Sequence, residues 1–300
     1  MTTSTTIPGA RCITDDNNHY FRSVTTYDNK VVEYTFSKVW LQKTFPETIV
    51  AKLRENFPDV KQLRMLNVGS GNGEIDCTML KHIRAKFESI DNHVVEPSGD
   101  MLSEYKSRVN NFTTCNQLAD VSCTWNHQGL DEYMTSPAGS ESGKFHLISA
   151  MHSLYYVKNQ GASIDYLHDK LAEGGLLIIM MQDENCGYLK ILRRYPLYNG
   201  ANALLAALPN ILTHLKDQKI HYDQELLTAS CDVTSCYQAT EEGSYIVDFL
   251  SHIMNFEKVA PSDLQKEFLE YVRSADCARV DGEKVLLNSD ETALTIERKI

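Results

Sequence analysis

The 300-residue sequence predicts an α/β protein built on a doubly wound parallel sheet. Three observations carry that prediction. Apolar runs of strand length alternate with helical patterns from Leu63 to Met181. The first of these runs ends abruptly in a glycine cluster, Gly69-Ser70-Gly71-Asn72-Gly73, and the second ends on a single acid, Glu96, followed by Pro97. With 42% hydrophobic and 23% charged residues, the chain has ample apolar surface for a core. Its formal charge of −11 (29 Lys+Arg against 40 Asp+Glu) is the wrong sign for holding a phosphate backbone and favours cationic small molecules.

In chain order, residues 1–18 are polar, carry Pro8 and Gly9, and read as a flexible tail without the apolar stretch of a secretory signal. Phe36 to Asn56 has helical spacing, with Pro46 placed to start a second helix at its first turn. Leu63–Val68 is a buried strand, and residues 74–87 return to helical spacing with Ile75, Met79, Leu80 and Ile83 on one stripe. His93–Glu96 is the next strand, and Met101, Leu102 and Tyr105 mark the helix after it. Val121–Trp125 and Phe145–Ile148 are further strands, separated by a loop at 135–143. A helix near 161–172 runs to Gly174-Gly175, which open the strand 176–181. Residues 185–270 are mostly helical with no linker, so 19–300 reads as one domain with elaborations around 19–45 and 185–270. Val285–Arg298 alternates as a closing pair of strands. The longest strongly apolar run, Leu176–Met181, is far short of the ~20 residues a bilayer requires. Eight cysteines without a C-x-x-C pair read as buried, reduced thiols, and a cytoplasmic location follows.

The glycine loop narrows the chemistry. Glycines suit a tight strand-to-helix turn where a ligand approaches bare backbone. A dinucleotide fingerprint needs G-x-G-x-x-G, but the third position after Gly71 is Glu74, and there is no G-K-[S/T] for a phosphate-cradling loop. The remaining G-x-G-x-G suits a ligand without a pyrophosphate. Glu96 lies 27 residues beyond Gly69, where a carboxylate accepts hydrogen bonds from both hydroxyls of an adenosine ribose. Strand–GxGxG–helix–strand–Glu is the S-adenosylmethionine arrangement of class I methyltransferases.

At Leu66-Asn67-Val68-Gly69-Ser70-Gly71-Asn72-Gly73-Glu74-Ile75-Asp76 the chain resembles the histamine N-methyltransferase family. The resemblance continues at Val94–Ser98, Leu154-Tyr155-Tyr156-Val157-Lys158, Asp248-Phe249-Leu250, Asn255-Phe256 and Gly282–Leu286, and so covers nearly the whole chain. It implies a Rossmann-like, seven-stranded doubly wound methyltransferase sheet with an added, mostly helical substrate-binding region, usually monomeric. S-adenosylmethionine is then the methyl donor, no metal is needed, and a small imidazole-containing amine is the acceptor. By position, Gly69, Gly71, Gly73, Glu96, Ser98 and Met151 fall on the cofactor side. Glu33 falls where the family places its substrate-binding glutamate, and Tyr20, Tyr155, Tyr156 and Phe249 at aromatic pocket positions.

Departures from the family pattern concentrate on the acceptor side. His152 stands where the family has Gln, Ser289 (or Asp290, if the gap slides) where it has Asn, and Tyr188 and Leu192 where it has paired tryptophans. Met101 replaces a Gln on the cofactor side. His152 either hydrogen-bonds the acceptor, takes its proton as a base, or is a satisfied histidine after a strand. Glu33 either anchors the acceptor or is a solvated carboxylate, and Tyr20, Tyr188 and Phe249 serve packing or the pocket. Carnosine, histidine or another biogenic amine is the alternative acceptor, and a non-catalytic cofactor-binding homologue the alternative class. A nucleic-acid methyltransferase is disfavoured, because the charge is wrong and no Asn/Asp-Pro-Pro-aromatic motif occurs.

Overall fold

A computed structural model describes residues 7–32, 36–114, 120–198 and 201–299, with backbone only at 36–38, 113–114 and 201–203. In chain order the elements are α1 (Asn17–Asp28), β1 (Val31–Val32), a wide-turned π-helical segment (Phe36–Val50), α2 (Ala51–Asn56), β2 (Gln62–Val68), α3 (Glu74–Arg84), β3 (Ser89–Val95) and α4 (Gly99–Thr114). Next come β4 (Val121–Asn126), α5 (Leu130–Thr135), α6 (Pro137–Ser140), β5 (Phe145–Met151), α7 (Gln160–Lys170), β6 (Leu171–Gln182), α8 (Gly187–Arg194) and α9 (Ala201–Asp217). The chain closes with β7 (Asp223–Leu227), β8 (Ser230–Asp232), α10 (Glu241–Ser251), α11 (Phe256–Val259), α12 (Ser262–Val272), β9 (Ala278–Asp281), β10 (Lys284–Asn288) and β11 (Glu291–Glu297). These residues divide into two compact units.

The larger unit comprises Phe36–Met181, Asn210–Glu225 and Thr292–Ile300. Its seven-stranded sheet has the order β4-β3-β2-β5-β6-β11-β7. β4, β3, β2, β5 and β6 pair in parallel. β2 and β5 read as near-continuous apolar runs because both faces of a central parallel strand are covered. Each fully buried Leu, Ile or Val in them, such as Leu66, Leu147 and Ile148, contributes about 1.5–3 kcal/mol of burial free energy. The chain winds outward through β2, β3 and β4, then returns to lay β5 on the other side of β2. The order therefore reverses between β2 and β5, and open α/β sheets bind ligands at the carboxyl ends of the strands at such a point.

Several local expectations change. The segment containing Pro46 does not break; a wider turn accommodates the missing N–H and the ring, and the helix continues from Phe36 into α2. Gly174 and Gly175 lie inside β6 rather than before it, because Gly174 adopts φ +78° and absorbs an irregularity in the β5–β6 register. The loop at 135–143 contains α6, with Pro137 in its first turn and the Ser136 hydroxyl capping Gly139. On α3 the buried face is Asp76, Cys77, Met79, Leu80 and Ile83, and Ile75 is only half-buried.

The smaller unit comprises Met1–Thr35, Gln182–Pro209 and Leu226–Glu291. It packs α1, α8 and α10–α12 with an antiparallel sheet of order β1-β8-β10-β9. Residues 7–18, expected as part of a loose tail, are held in place, because two apolar anchors, Ile7 and Ile13, are buried amid their polar neighbours. Cys12 bridges Ile253, the Ile13 N–H donates to His252 O at 3.1 Å, and the Met254 N–H to Arg11 O at 3.0 Å. The two strands expected over 285–298 form but do not pair with each other: β10 joins β8 and β9, and β11 enters the seven-stranded sheet. At the turn between them, the Ser289 N–H donates to Ala229 O and the Asp290 carboxylate accepts from the Ala229 N–H, which anchors that turn to the segment before β8. All seven described cysteines are free thiols, five of them buried. No described helix is long and apolar enough to cross a membrane.

Candidate active site

The carboxyl ends of β2, β3 and β5 gather the predicted cofactor side. Gly69, Gly71 and Gly73 all take left-handed backbone, at φ +66°, +54° and +74°. Two of them are also filled from behind. A Cβ at Gly69 would lie 2.3 Å from Ser153 Cβ, and one at Gly73 would lie 2.0 Å from the Tyr105 ring. Gly71 differs: nothing stands within 4 Å of where its Cβ would be, so a ligand meets bare backbone there. The Gly73 N–H donates to Ser70 O at 3.0 Å, closing the turn into α3.

Glu96 follows β3 directly and is buried. Its Oε2 accepts the Gly71 N–H at 2.8 Å and its Oε1 the Ser98 N–H at 2.7 Å. Burial pushes this carboxyl above its usual range, and those two donations, with His127 nearby, restrain the rise. Each carboxylate oxygen keeps a second lone pair, so both remain able to accept a ligand hydroxyl. Ser98 lies just before α4, where its hydroxyl accepts the Met101 N–H at 3.4 Å. Met151 ends β5 opposite Met180 on β6, nearly buried.

His152, directly after β5, is one of few non-glycine residues with positive φ (51°), and its N–H donates to Met180 O at 2.8 Å. Its ring is 6.4 Å from that of Tyr155 and nearly parallel to it, with Nδ1 3.4 Å from the Tyr155 hydroxyl. Tyr156 is 54% exposed and meets Tyr155 edge-on at 6.1 Å. The larger unit thus assembles Gly69, Gly71, Gly73, Glu96, Ser98, Met151, His152 and the two tyrosines around one sheet edge.

The open face at Gly71, the spare lone pairs of a buried Glu96, and the Ser153 hydroxyl, buried without a hydrogen-bond partner beside the loop, suit a hydroxyl- and amine-bearing ligand without phosphates.

Tyr20, Tyr188, Phe249 and Ser289, the residues expected on the acceptor side, lie in the smaller unit, linked in one mainly aromatic cluster. Tyr188 stacks on Phe249 at 4.9 Å, and Phe249 meets Tyr27 at 4.7 Å. The Tyr27 hydroxyl and Ser289 Oγ are 2.9 Å apart. The sequence reading missed three members: Tyr27, Tyr198 and His252. His252 is 1% exposed at φ +58°, stacks on Tyr198 at 4.5 Å, meets the Tyr20 ring at 6.5 Å, and has Nδ1 3.1 Å from the Tyr188 hydroxyl. Burial lowers its pKa to about 4, so the ring is neutral. Asp290, the alternative to Ser289, is a turn residue bonded to Ala229 and Asn288. Leu192 is fully buried. Glu33 lies outside the described residues. No group of three or more His, Cys, Asp or Glu among the described residues is placed to hold a metal ion.

A parallel sheet whose order reverses beside a G-x-G-x-G loop, with an acid at the end of the next strand, defines the class I methyltransferase fold. The chain belongs to the methyltransferase-domain family, whose model matches residues 41–227. Over nearly its full length it is similar to histamine N-methyltransferases. It is 29% identical to that of Danio rerio over 298 residues, covering 96% of this chain and 98% of the relative. The Rattus norvegicus enzyme is 26% identical over 297 residues, covering 97% and 98%. Among solved structures, the YcgJ protein of Bacillus subtilis superposes with a TM-score of 0.50 at 11% identity, covering 84% of this chain and 98% of that one. The likeness to that structure is one of fold.

Proposed function

We propose that this methyltransferase uses S-adenosylmethionine to methylate a nitrogen of a small imidazole-containing amine of the histamine type. The observation that carries the cofactor assignment is Glu96, buried and tied to both the Gly71 and Ser98 N–H groups while keeping acceptor capacity on each oxygen. The acceptor assignment is supported by full-length similarity to histamine N-methyltransferases and by the tyrosine-rich cluster of the smaller unit.

When bound, S-adenosylmethionine supplies a methyl group already activated on a sulfonium, so the protein's work is alignment and desolvation. Glu96 holds the ribose hydroxyls, and Gly71 admits the cofactor to bare backbone. Tyr155 and Tyr156 offer aromatic faces to cationic groups. Glu33, by family position, anchors the acceptor's cationic end or accepts its imidazole N–H. Tyr20, Tyr188, Phe249 and Ser289 line the acceptor. His152 hydrogen-bonds the acceptor or, as a base, takes the proton that the imidazole sheds from its other nitrogen once the attacking nitrogen has taken the methyl group, a task suited to a side chain whose ordinary pKa is near 6.5. On this reading the protein works as a cytoplasmic monomer, without a metal.

The test is methyl transfer from labelled S-adenosylmethionine to histamine, carnosine, histidine, tyramine and tryptamine. The proposal predicts turnover of an imidazole amine, reduced at least tenfold in Glu33→Ala and His152→Ala. Turnover confined to tyramine or tryptamine would overturn the imidazole assignment. Cofactor binding with no turnover of any acceptor would favour a non-catalytic homologue.

A further inference from the structure

Beneath the glycine loop runs a buried polar chain that the methyl-transfer reading does not use. Ser149 Oγ on β5 donates to Asn67 Oδ1 on β2. Asn67 Nδ2 donates to Asn92 Oδ1 on β3 at 2.8 Å, and Asn92 Nδ2 to the Tyr105 hydroxyl on α4 at 3.3 Å. Every proton in this chain points the same way, so the Tyr105 hydroxyl is left to donate onward. The group it faces is Asp76, in the first turn of α3 and 3% exposed. Asp76, just past the loop, and Ser70 Oγ, in it, are both buried, and the Ser70 and Tyr105 hydroxyls both face the Asp76 carboxyl. The Tyr105 ring also packs where a Gly73 side chain would be. The loop, the polar chain and the acid thus form one assembly within the larger unit.

We infer that Asp76, when ionised, is a positioning residue that holds the Ser70–Gly73 loop in its cofactor-binding form by accepting the Ser70 and Tyr105 hydroxyls. The inference rests on the reading of this loop as the cofactor site. A protonated carboxyl spends one oxygen as a donor and releases a hydroxyl, which loosens the loop. Burial raises the Asp76 pKa to about 7, opposed by the Ser70 and Tyr105 hydroxyls and reinforced by Glu96. The other titratable groups around it are Cys77 on α3 and Cys123 on β4, both thiols pushed up by burial. Arg108 of α4, whose charge acts on the adjacent Cys77, is engaged with Asn72 O and Glu74.

A buried acid with a raised pKa costs stability above its unfolded pKa. A packing role alone would be served as well by Asn, so the cost separates positioning from structure. The test is calorimetric titration with S-adenosylhomocysteine between about pH 6 and pH 8, on the wild-type protein and on Asp76→Asn and Ser70→Ala, with Tm measured in parallel. The wild-type protein is expected to bind about tenfold more tightly at the upper pH, as its carboxyl ionises. Asp76→Asn should bind weakly with no such pH dependence while keeping or raising Tm at the upper pH, and Ser70→Ala should flatten the same profile. An Asp76→Asn profile that keeps the wild-type pH dependence would overturn the inference. So would a joint fall of Tm and affinity, which would make the residue merely structural. Absence of wild-type binding at every pH would instead overturn the cofactor site, and the inference with it.

Discussion

At the scale of single residues, the glycine loop separates two jobs that the same residue type performs. Gly73 is pinned by the Tyr105 ring, whereas Gly71 faces open space. Gly73→Ala combines left-handed strain with a hard clash and is expected to cost about 2–4 kcal/mol, read as a lowered denaturant midpoint. Gly71→Ala carries only the strain, about 1 kcal/mol, yet should weaken cofactor binding because its Cβ fills the open face. His252 gives a pH signature. Its folded pKa of about 4 lies below the ordinary value near 6.5, so the unfolded state binds more protons between those limits. Stability should therefore fall as pH drops through that window, by up to about 3 kcal/mol, and His252→Phe should lose this slope in denaturation series at several pH values.

Residue-level legibility depended on whether position alone marked a side chain. Glu96 was readable because it ends a strand after a glycine loop. Asp76 carried a signal that went unused, an acid three and four residues before Met79 and Leu80 and so on the apolar face of α3. His252 had none: its burial among tyrosines comes from α1, α8 and the segment just after α8, distant in sequence.

At the scale of elements, the turn after α10 is held by one carboxylate. Asp248 accepts the Asn255 N–H at 2.7 Å, the Phe256 N–H at 2.8 Å and His19 Nε2 at 2.7 Å. Two left-handed residues, His252 and Asn255, lie within that turn. Asp248→Ala leaves two backbone donors unsatisfied and is expected to destabilise by about 3 kcal/mol, with Asp248→Asn retaining part of the loss in thermal melts. The central strands were legible because parallel strands buried on both faces leave continuous apolar runs. Element ends were not. β6 begins before its glycines because a left-handed Gly174 lets the strand pass through an irregular register, which no periodicity records. The partners of β10 and β11 escaped the sequence because alternation gives the face of a strand and not its neighbour.

For the whole molecule, the cofactor side and the acceptor side were unequally readable. The residues expected on the first come mostly from one contiguous loop and the end of the strand after it, while those expected on the second come from α1, α8, α10 and the 289 turn in a unit built from three chain segments. The negative charge of −11 agrees with a cationic ligand and assigns no residue to it. The donor site comes first, and calorimetry with S-adenosylmethionine is its most direct test. Saturable one-to-one binding to the wild-type protein is expected, weakened about 10–100-fold in Glu96→Gln, which loses a charge-assisted acceptor while keeping the fold. Equal affinity in the two proteins, or no binding to the wild-type protein, would contradict it.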